Sequence, residues 1–585
     1  MTERGLRGGV GGDEVGSTER NTVSMAMDVT IAERVVPQAE VQRQPLTSIE
    51  AALGRVPSAW RSVLVVSVAV VLAWQFRFVQ DDAFISFRYA KNLVDGNGLV
   101  FNPGQPVEGY TNFLWTVLMA VPIALGLDPV VFSQVAGILA MVGTVLVTER
   151  LGTQVLRSSV RGTVVAIALV LQFSFLAYGT GGLETQLQSF LVSSAVLALV
   201  PWLGMPGRDG AAAARAGGAS ALIAMALLTR LDSAVLLVVP GVVAAVVLVR
   251  RRAVAHLAAL VVPAAVILGA WFAWKVAYYG AAVPNTLEAK SMGPTSVLVG
   301  AAFLFVFVWY SLYTVFLPAL VRRARDLVGI PGMWPVVGAL LVWVVYLLYV
   351  GADFMEFRFM VPAMPFIAVV LIGIIYCCRS VAARWILVSA LMLGLPFHAA
   401  LFEGQINVDS TRTLEQWVVG PTGWVAMGRR LARDVATVAG SADDPPVIAV
   451  SAAGAIPYES DLPTVDMLGL NDPVTAREGL AIPVQTLPKP GHIRMATVEH
   501  LRSEGVNLVI GHPMASDPSD GPYDLASLVE TMFLRAGIDV SNLEGVTVVE
   551  VPLADGKVLP MLYLKPSRVV DRLVEDRVWR QVPTG

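Results

Sequence analysis

The chain has 585 residues, 55% hydrophobic and 15% charged, with a net charge of −3 and a mean hydropathy of +0.65. Soluble domains run about 45–50% apolar and about 25% charged, so a soluble globular enzyme is excluded, and the small net charge gives no reason to expect nucleic acid. The two cysteines, Cys377 and Cys378, are neighbours, which rarely bridge because the geometry is strained. A disulfide framework is excluded, and both read as small apolar fillers at a helix end.

Residues 1–58 are polar, lack an apolar run or a signal-peptide pattern, and read as a disordered cytoplasmic tail, with Met25 or Met27 as alternative starts. Apolar runs of membrane-spanning length follow. They predict about eleven spans, near 62–79, 129–148, 163–179, 185–204, 217–230, 233–249, 256–277, 296–320, 331–350, 357–376 and 385–402. With the N-terminus in the cytoplasm, the inner loops carry Arg150, Arg157 and Arg161; Arg208 and Arg215; Arg250 to Arg252; Arg322, Arg323 and Arg325; and Arg379 and Arg384. The outer loops carry Asp81, Asp82, Glu184, Asp232, Glu288, Asp353 and Glu356. This is the positive-inside pattern. It fails if the apolar stretch 113–127 also spans, so that stretch reads as an interfacial or re-entrant helix, with Trp115 as a headgroup-level anchor. Residues 59–402 form the expected membrane domain, with an outer loop at 80–128. Residues 403–585 carry short apolar strands near 446–456, 463–470, 506–512, 546–553 and 558–566, beside the amphipathic stretch 424–438. They read as an extracytoplasmic α/β domain. The fold class is thus a polytopic α-helical membrane protein with a C-terminal α/β domain.

Asp81 and Asp82 open the long polar segment that follows the first span. Paired acids at a membrane surface are costly, and like charges side by side raise one pKa, which suits a general base. They also suit a metal, so a divalent cation (Mg, Mn or Ca) is an option at Asp81 and Asp82. The structural alternative is a helix N-cap. Arg88 and Lys91 lie farther along the same helix; Arg88 is a candidate for phosphate, since a guanidinium matches it by paired hydrogen bonds, or for an ordinary ion pair with the acidic residues. Tyr110, Asn112 and Trp115 occupy a turn-rich stretch and suit packing on a sugar ring, or simply connect two interfacial helices. Glu184, Arg230 with Asp232, the set Tyr279, Asn285, Glu288 and Lys290, and the set Asp353, Glu356 and Arg358 all fall at outer helix ends. Such groups line a cavity or pair with each other. Histidines 256, 398, 492, 500 and 512 show no metal-ligand spacing. There is no Walker loop, GxSxG elbow or dinucleotide fingerprint. Any donor must therefore reach the outer face already activated.

The segments DDAFISFRYAKNLVDGNGLVFNPGQPVEGYTNFLW, GLETQLQ, LLTRLDSAVLL and YYGAAVPNTLEAK resemble the GT-C superfamily of polyprenyl-phosphate-sugar glycosyltransferases. The resemblance is narrower to the terminal β-(1→2)-arabinofuranosyltransferases of mycobacterial arabinan synthesis. It covers roughly residues 60–400 and extends weakly to AAGAIPYESDLPTVDMLGLND. It implies a cell-wall biogenesis enzyme of the plasma membrane, using a donor such as decaprenyl-phosphoryl-arabinofuranose and an arabinan-like glycan acceptor. It implies Asp81 or Asp82 as base, and Arg88, Arg230, Lys290 and Arg358 on the donor phosphate. Tyr110, Asn112, Glu184, Asp232, Asn285 and Asp353 are then candidates for the sugar and acceptor hydroxyls. A mannosyl or other sugar transferase is the alternative within the superfamily. A sugar-lipid flippase would instead place charges near the midplane and show repeat symmetry, and a non-enzymatic assembly factor would only bind glycan.

Overall fold

The computed structural model describes residues 47–203, 212–291, 293–403, 410–438, 444–483 and 489–585. Most of the expected tail, including Met25 and Met27, lies outside the described residues, as does Arg208. α1 (Thr47–Arg55) is helical although the sequence reads as tail through residue 58; Glu50 in its first turn and Arg55 in its last complement the helix dipole.

α2 (Ser58–Gln75) is the first apolar helix long enough to cross a bilayer. α3 (Asp81–Val94) and α4 (Phe113–Ala124) follow and are too short to cross. α5 (Pro129–Leu156) crosses; the Asp128 carboxylate accepts its first N–H groups and Pro129 presets its first turn. Then come α6 (Ser159–Val170), α7 (Phe173–Ala177), α8 (Thr185–Leu199), α9 (Ala212–Thr229), α10 (Ser233–Arg250), α11 (Val254–Tyr279), α12 (Asn285–Ala289), α13 (Ser296–Tyr310), α14 (Leu317–Val328), α15 (Met333–Val350), α16 (Met364–Cys377) and α17 (Val381–Phe402). Among the described residues eight helices have spanning length and apolarity, and α13 with α14 makes a ninth only if the pair, bent by 86°, counts as one span.

Three of the eleven expected spans differ. α6 has 12 residues, about 18 Å at 1.5 Å per residue, against a hydrocarbon core of about 30 Å. Counting only its described residues, α9 also falls just short of spanning length. The 296–320 run breaks where Leu312 adopts a left-handed φ of 55°, and Arg322, Arg323 and Arg325 then lie on the separate helix α14. α4 is non-spanning, as its orientation argument required. Trp115 is not a headgroup anchor: it is fully buried and its Nε1 donates to the Gly182 carbonyl at 3.1 Å.

The C-terminal region begins with α18 (Thr411–Val419) and α19 (Trp424–Val438). It continues through β1 (Ile448–Val450), α20 (Ala455–Ser460), β2 (Thr464–Asp466), β3 (Leu480–Ala481), β4 (Arg494–Met495), β5 (Leu508–Gly511), β6 (Thr547–Pro552), β7 (Val558–Tyr563) and β8 (Arg580–Val582). Six strands form one sheet in the order β2-β1-β5-β7-β6-β8. β1 runs parallel to β2 and β5, while β7, β6 and β8 add antiparallel edges. β3 and β4 pair separately. Apolar residues such as Met467, Val509, Val548 and Leu562 bury one continuous core. Residues 52–585 pack as one compact unit, so this domain is no detached lobe.

Candidate active site at the domain seam

α3 starts after a short extended segment whose Val79 N–H donates to Glu415 (3.0 Å) and whose Gln80 N–H donates to the Gly181 carbonyl (3.1 Å). The two aspartates that follow point to different partners. Asp81 is buried, and its two carboxylate oxygens accept the backbone N–H groups of Gly454 (3.0 Å) and Ala455 (2.7 Å) at the start of α20. The approach is so close that a Cβ on Gly454 would sit 1.9 Å from the Asp81 carbonyl oxygen. Asp82, half-buried, lines two adjoining spaces instead: a cleft of about 600 Å³ and a smaller cavity of about 50 Å³.

The small cavity gathers side chains from widely separate stretches of sequence. Asp82, Tyr110, Asn112, Glu184, Arg230, Lys290 and Arg358 all line it. Glu184 accepts from Arg230 at 2.8 Å and from the Asn112 amide at 2.8 Å. Arg230 also clasps Asp232, at 2.7 Å for the shortest contact, and Asp232 in turn accepts from Gln188 at 2.7 Å. Arg358 pairs with Asp353 at 2.6 Å. Lys290 differs from both arginines: no carboxylate of a described residue is its ion-pair partner. The Tyr110 and Tyr279 hydroxyls meet at 3.1 Å. Asp232 and Asp353 thus stand behind the arginines.

Three sequence expectations change here. Arg88 does not reach the cavity: its guanidinium donates to the carbonyls of Phe101 (2.7 Å), Pro457 and Leu462 (2.8 Å) and to Asn102 (3.0 Å). Every guanidinium nitrogen is engaged there, away from the cavity that Arg230, Lys290 and Arg358 line. Asn285 donates to the carbonyls of Gly469 (2.7 Å) and Leu470 (3.0 Å) and fastens the C-terminal domain rather than a sugar. Among the described residues no three His, Cys, Asp or Glu side chains come together as a metal-holding group. Both Asp81 oxygens are taken by N–H donors, and Asp82 feels Lys290 and Arg358, whose charge opposes a cation. The acidic pair does not fit a divalent ion.

Burial raises the Asp82 carboxyl above its ordinary range, and the nearby Lys290 and Arg358 charges only partly offset it. Burial likewise pushes Asp81 up to about 7, against the pull of its N–H partners. Burial would raise Glu184 too, but Arg230 and Arg358 hold it below the usual range. Lys290 is lowered, chiefly by burial, with Asp353 opposing. One open carboxylate of raised basicity therefore faces one unpaired ammonium.

The far wall of the cleft was not singled out in the sequence. Ser451 to Ala453, His492, His512 and Trp417 form part of it. The stretch AAGAIPYESDL carried the weak end of the family resemblance, but nothing in Trp417 or His492 marked them.

Fold and site define a polytopic α-helical membrane protein whose C-terminal α/β domain closes over a cation-flanked acidic cavity. Residues 413–549 match the model of a domain of unknown function (DUF8728). The chain is similar to the terminal β-(1→2)-arabinofuranosyltransferase of Mycobacterium tuberculosis, 38% identical over 107 residues, 17% of each chain. It is similar to the protein of the same name from Corynebacterium glutamicum, 26% identical over 343 residues, 51% of this chain and 48% of that one. The chain thus matches at most about half the length of these curated relatives. In structure it is similar to ArnT from Cupriavidus metallidurans bound to undecaprenyl phosphate, with 16% identity, 70% of this chain and 86% of that chain covered, and a TM-score of 0.47.

Proposed function

We propose that the protein is a membrane glycosyltransferase that moves a sugar, arabinofuranose first, from a polyprenyl-phosphate donor to a cell-wall glycan on the outer face of the membrane. The observation that carries this reading is the cavity in which the open carboxylate of Asp82 and the unpaired ammonium of Lys290 share one wall. The names of the curated relatives supply the sugar and the acceptor class. The placement on the outer face rests on the positive-inside reading of the arginine-rich loops.

In this chemistry the acceptor hydroxyl oxygen forms a bond to the anomeric carbon. The bond from that carbon to the phosphate oxygen breaks, and its electron pair leaves with the polyprenyl phosphate. The hydroxyl proton passes to a carboxylate oxygen of Asp82, whose raised pKa makes it a stronger base. Lys290, then Arg358 and Arg230, stabilise the charge growing on the leaving phosphate. Asn112 and Tyr110 hold the rim where the sugar ring sits. The step inverts the anomeric carbon, so a β-linked product by this route needs an α-linked donor.

The test is transfer by purified protein in detergent, with synthetic polyprenyl-phosphoryl-arabinofuranose, an arabinan oligosaccharide, and arms with and without EDTA. Product from the wild type and none from Asp82→Asn supports the reading, and an EDTA-insensitive rate agrees with the donor set around Asp82. Full activity in Asp82→Asn would overturn the role of the base. Product only from a mannose-phosphate lipid would replace the sugar.

A further inference from the structure

The C-terminal sheet has a specific place for a ligand. Its three parallel strands lie in the order β2-β1-β5. The chain leaves β1 for β2 on one side and later returns to β5 on the other, so the strand order reverses between β1 and β5. In open α/β sheets, ligands bind outside the carboxyl ends of the strands at such a reversal. Here β1 ends at Val450 and β5 at Gly511, and the next residues, Ser451 to Ala453 and His512, line the cleft that Asp82 also lines. The crevice that topology assigns to the domain and the cleft beside the proposed base are one space.

Two observations describe its occupant. Trp417 lines the cleft with 37% of its surface exposed. It leans on Trp424 at 6.4 Å and 32°, and Trp424 is fixed by its Nε1–H bond to the Pro513 carbonyl at 3.1 Å. A braced, exposed indole offers a flat apolar face at low entropic cost. His492 lines the same space, and its Nδ1 is buried with no hydrogen-bond partner. Burial, then Lys489, lowers its pKa to about 4, so near neutral pH it is an uncharged ring able to bond a hydroxyl. A flat apolar face beside a neutral hydrogen-bonding group is the chemistry that recognises a sugar ring rather than a phosphate.

We infer that this wall of the C-terminal domain is the acceptor subsite: a neutral oligosaccharide lies across the carboxyl ends of β1 and β5, stacks a sugar on Trp417, bonds His492, and presents its terminal hydroxyl to Asp82. The assignment rests on the proposed transferase reading for the direction of the chain. Binding itself does not depend on it.

The experiment is calorimetric titration of the full-length protein in detergent with a lipid-free arabinofuranose hexasaccharide and with a mannose tetrasaccharide. The expected result is saturable binding of one of them, weakened about tenfold or more by Trp417→Ala and restored to within about threefold by Trp417→Phe. His492→Ala should weaken binding by a smaller factor. Such a pattern in a protein that shows no transfer would keep the subsite and remove the transferase reading. Transfer with unaltered oligosaccharide affinity in Trp417→Ala overturns the subsite and leaves the transferase reading in place. Absence of binding to either oligosaccharide overturns it as well. So does a Trp417→Ala protein that instead loses affinity for polyprenyl phosphate, which would put the lipid on this wall.

Discussion

The seam and the cavity are built from the same residue types, taken from the same short stretches, and they do opposite things. In the seam, Asp81, Arg88 and Asn285 direct their side-chain hydrogen bonds to the C-terminal domain and its surroundings. In the cavity, Asp82 and Lys290 keep theirs open. Asp81 and Asp82 differ by about 100° around one helix, and that rotation separates a structural contact from a candidate base. An acid's role here is set by what already occupies its lone pairs, and charge alone does not reveal it.

Substitutions at the two positions should separate the regions. Asp82→Asn is expected to lower transfer by about 10²–10⁴-fold, the range for a lost general base, with the apparent melting temperature unmoved. A melting shift as large as that of Asp81→Asn would merge the two regions. Lys290→Gln should come next, raising the donor KM by about 10–100-fold, the equivalent of a charged hydrogen bond, in assays at varied donor. Gly454→Ala acts on the seam alone: its new methyl group meets the Asp81 backbone, and such overpacking costs about 1–3 kcal/mol. It should be seen as earlier thermal unfolding and faster limited proteolysis of the C-terminal region.

The smallest expected effect is a pH slope. Asp81 binds its proton at about 7 in the folded protein, against an ordinary 3.8. Between those values the folded state holds a proton that the unfolded chain has released, so this group's stabilisation is present below about pH 4 and is lost as pH rises through 7. Melting at pH 5 and pH 8 should differ more in wild type than in Asp81→Asn. Equal slopes would mean that Asp81 stays ionised in the seam.

Much of this was legible in sequence. Membrane-length runs and alternating short strands follow from hydrophobic spacing; α19 begins and ends where its amphipathic stretch does. The clustering of Glu184, Arg230, Lys290 and Arg358 followed from their common position at helix ends. What hydrophobic spacing could not register is the seam. Arg88 and Lys91 look alike on one helix, yet Arg88 is buried against carbonyls more than 360 residues away while Lys91 pairs with Asp461 at 2.9 Å near the surface. The bend at Leu312 was equally invisible, because a leucine in a left-handed conformation leaves no mark in hydropathy.

Many of the bonds across the seam share one property. Arg88, Asn102 and Asn285 address the carbonyls of Pro457, Leu462, Thr464, Gly469 and Leu470, and Asp81 addresses the amides of Gly454 and Ala455. All are main-chain atoms, which every residue but proline presents alike. This part of the interlocking surface reads main-chain atoms, while side chains of the C-terminal domain enter the rest of it through Glu415, Asn471, Asp461 and Arg477, which meet the Val79 amide, Tyr89, Lys91 and Glu288. The domain's binding wall can diverge, or be exchanged in a chimera, while the joint to the helices is kept. Under the proposed transferase reading, that is a route by which one membrane scaffold could be refitted to new glycans.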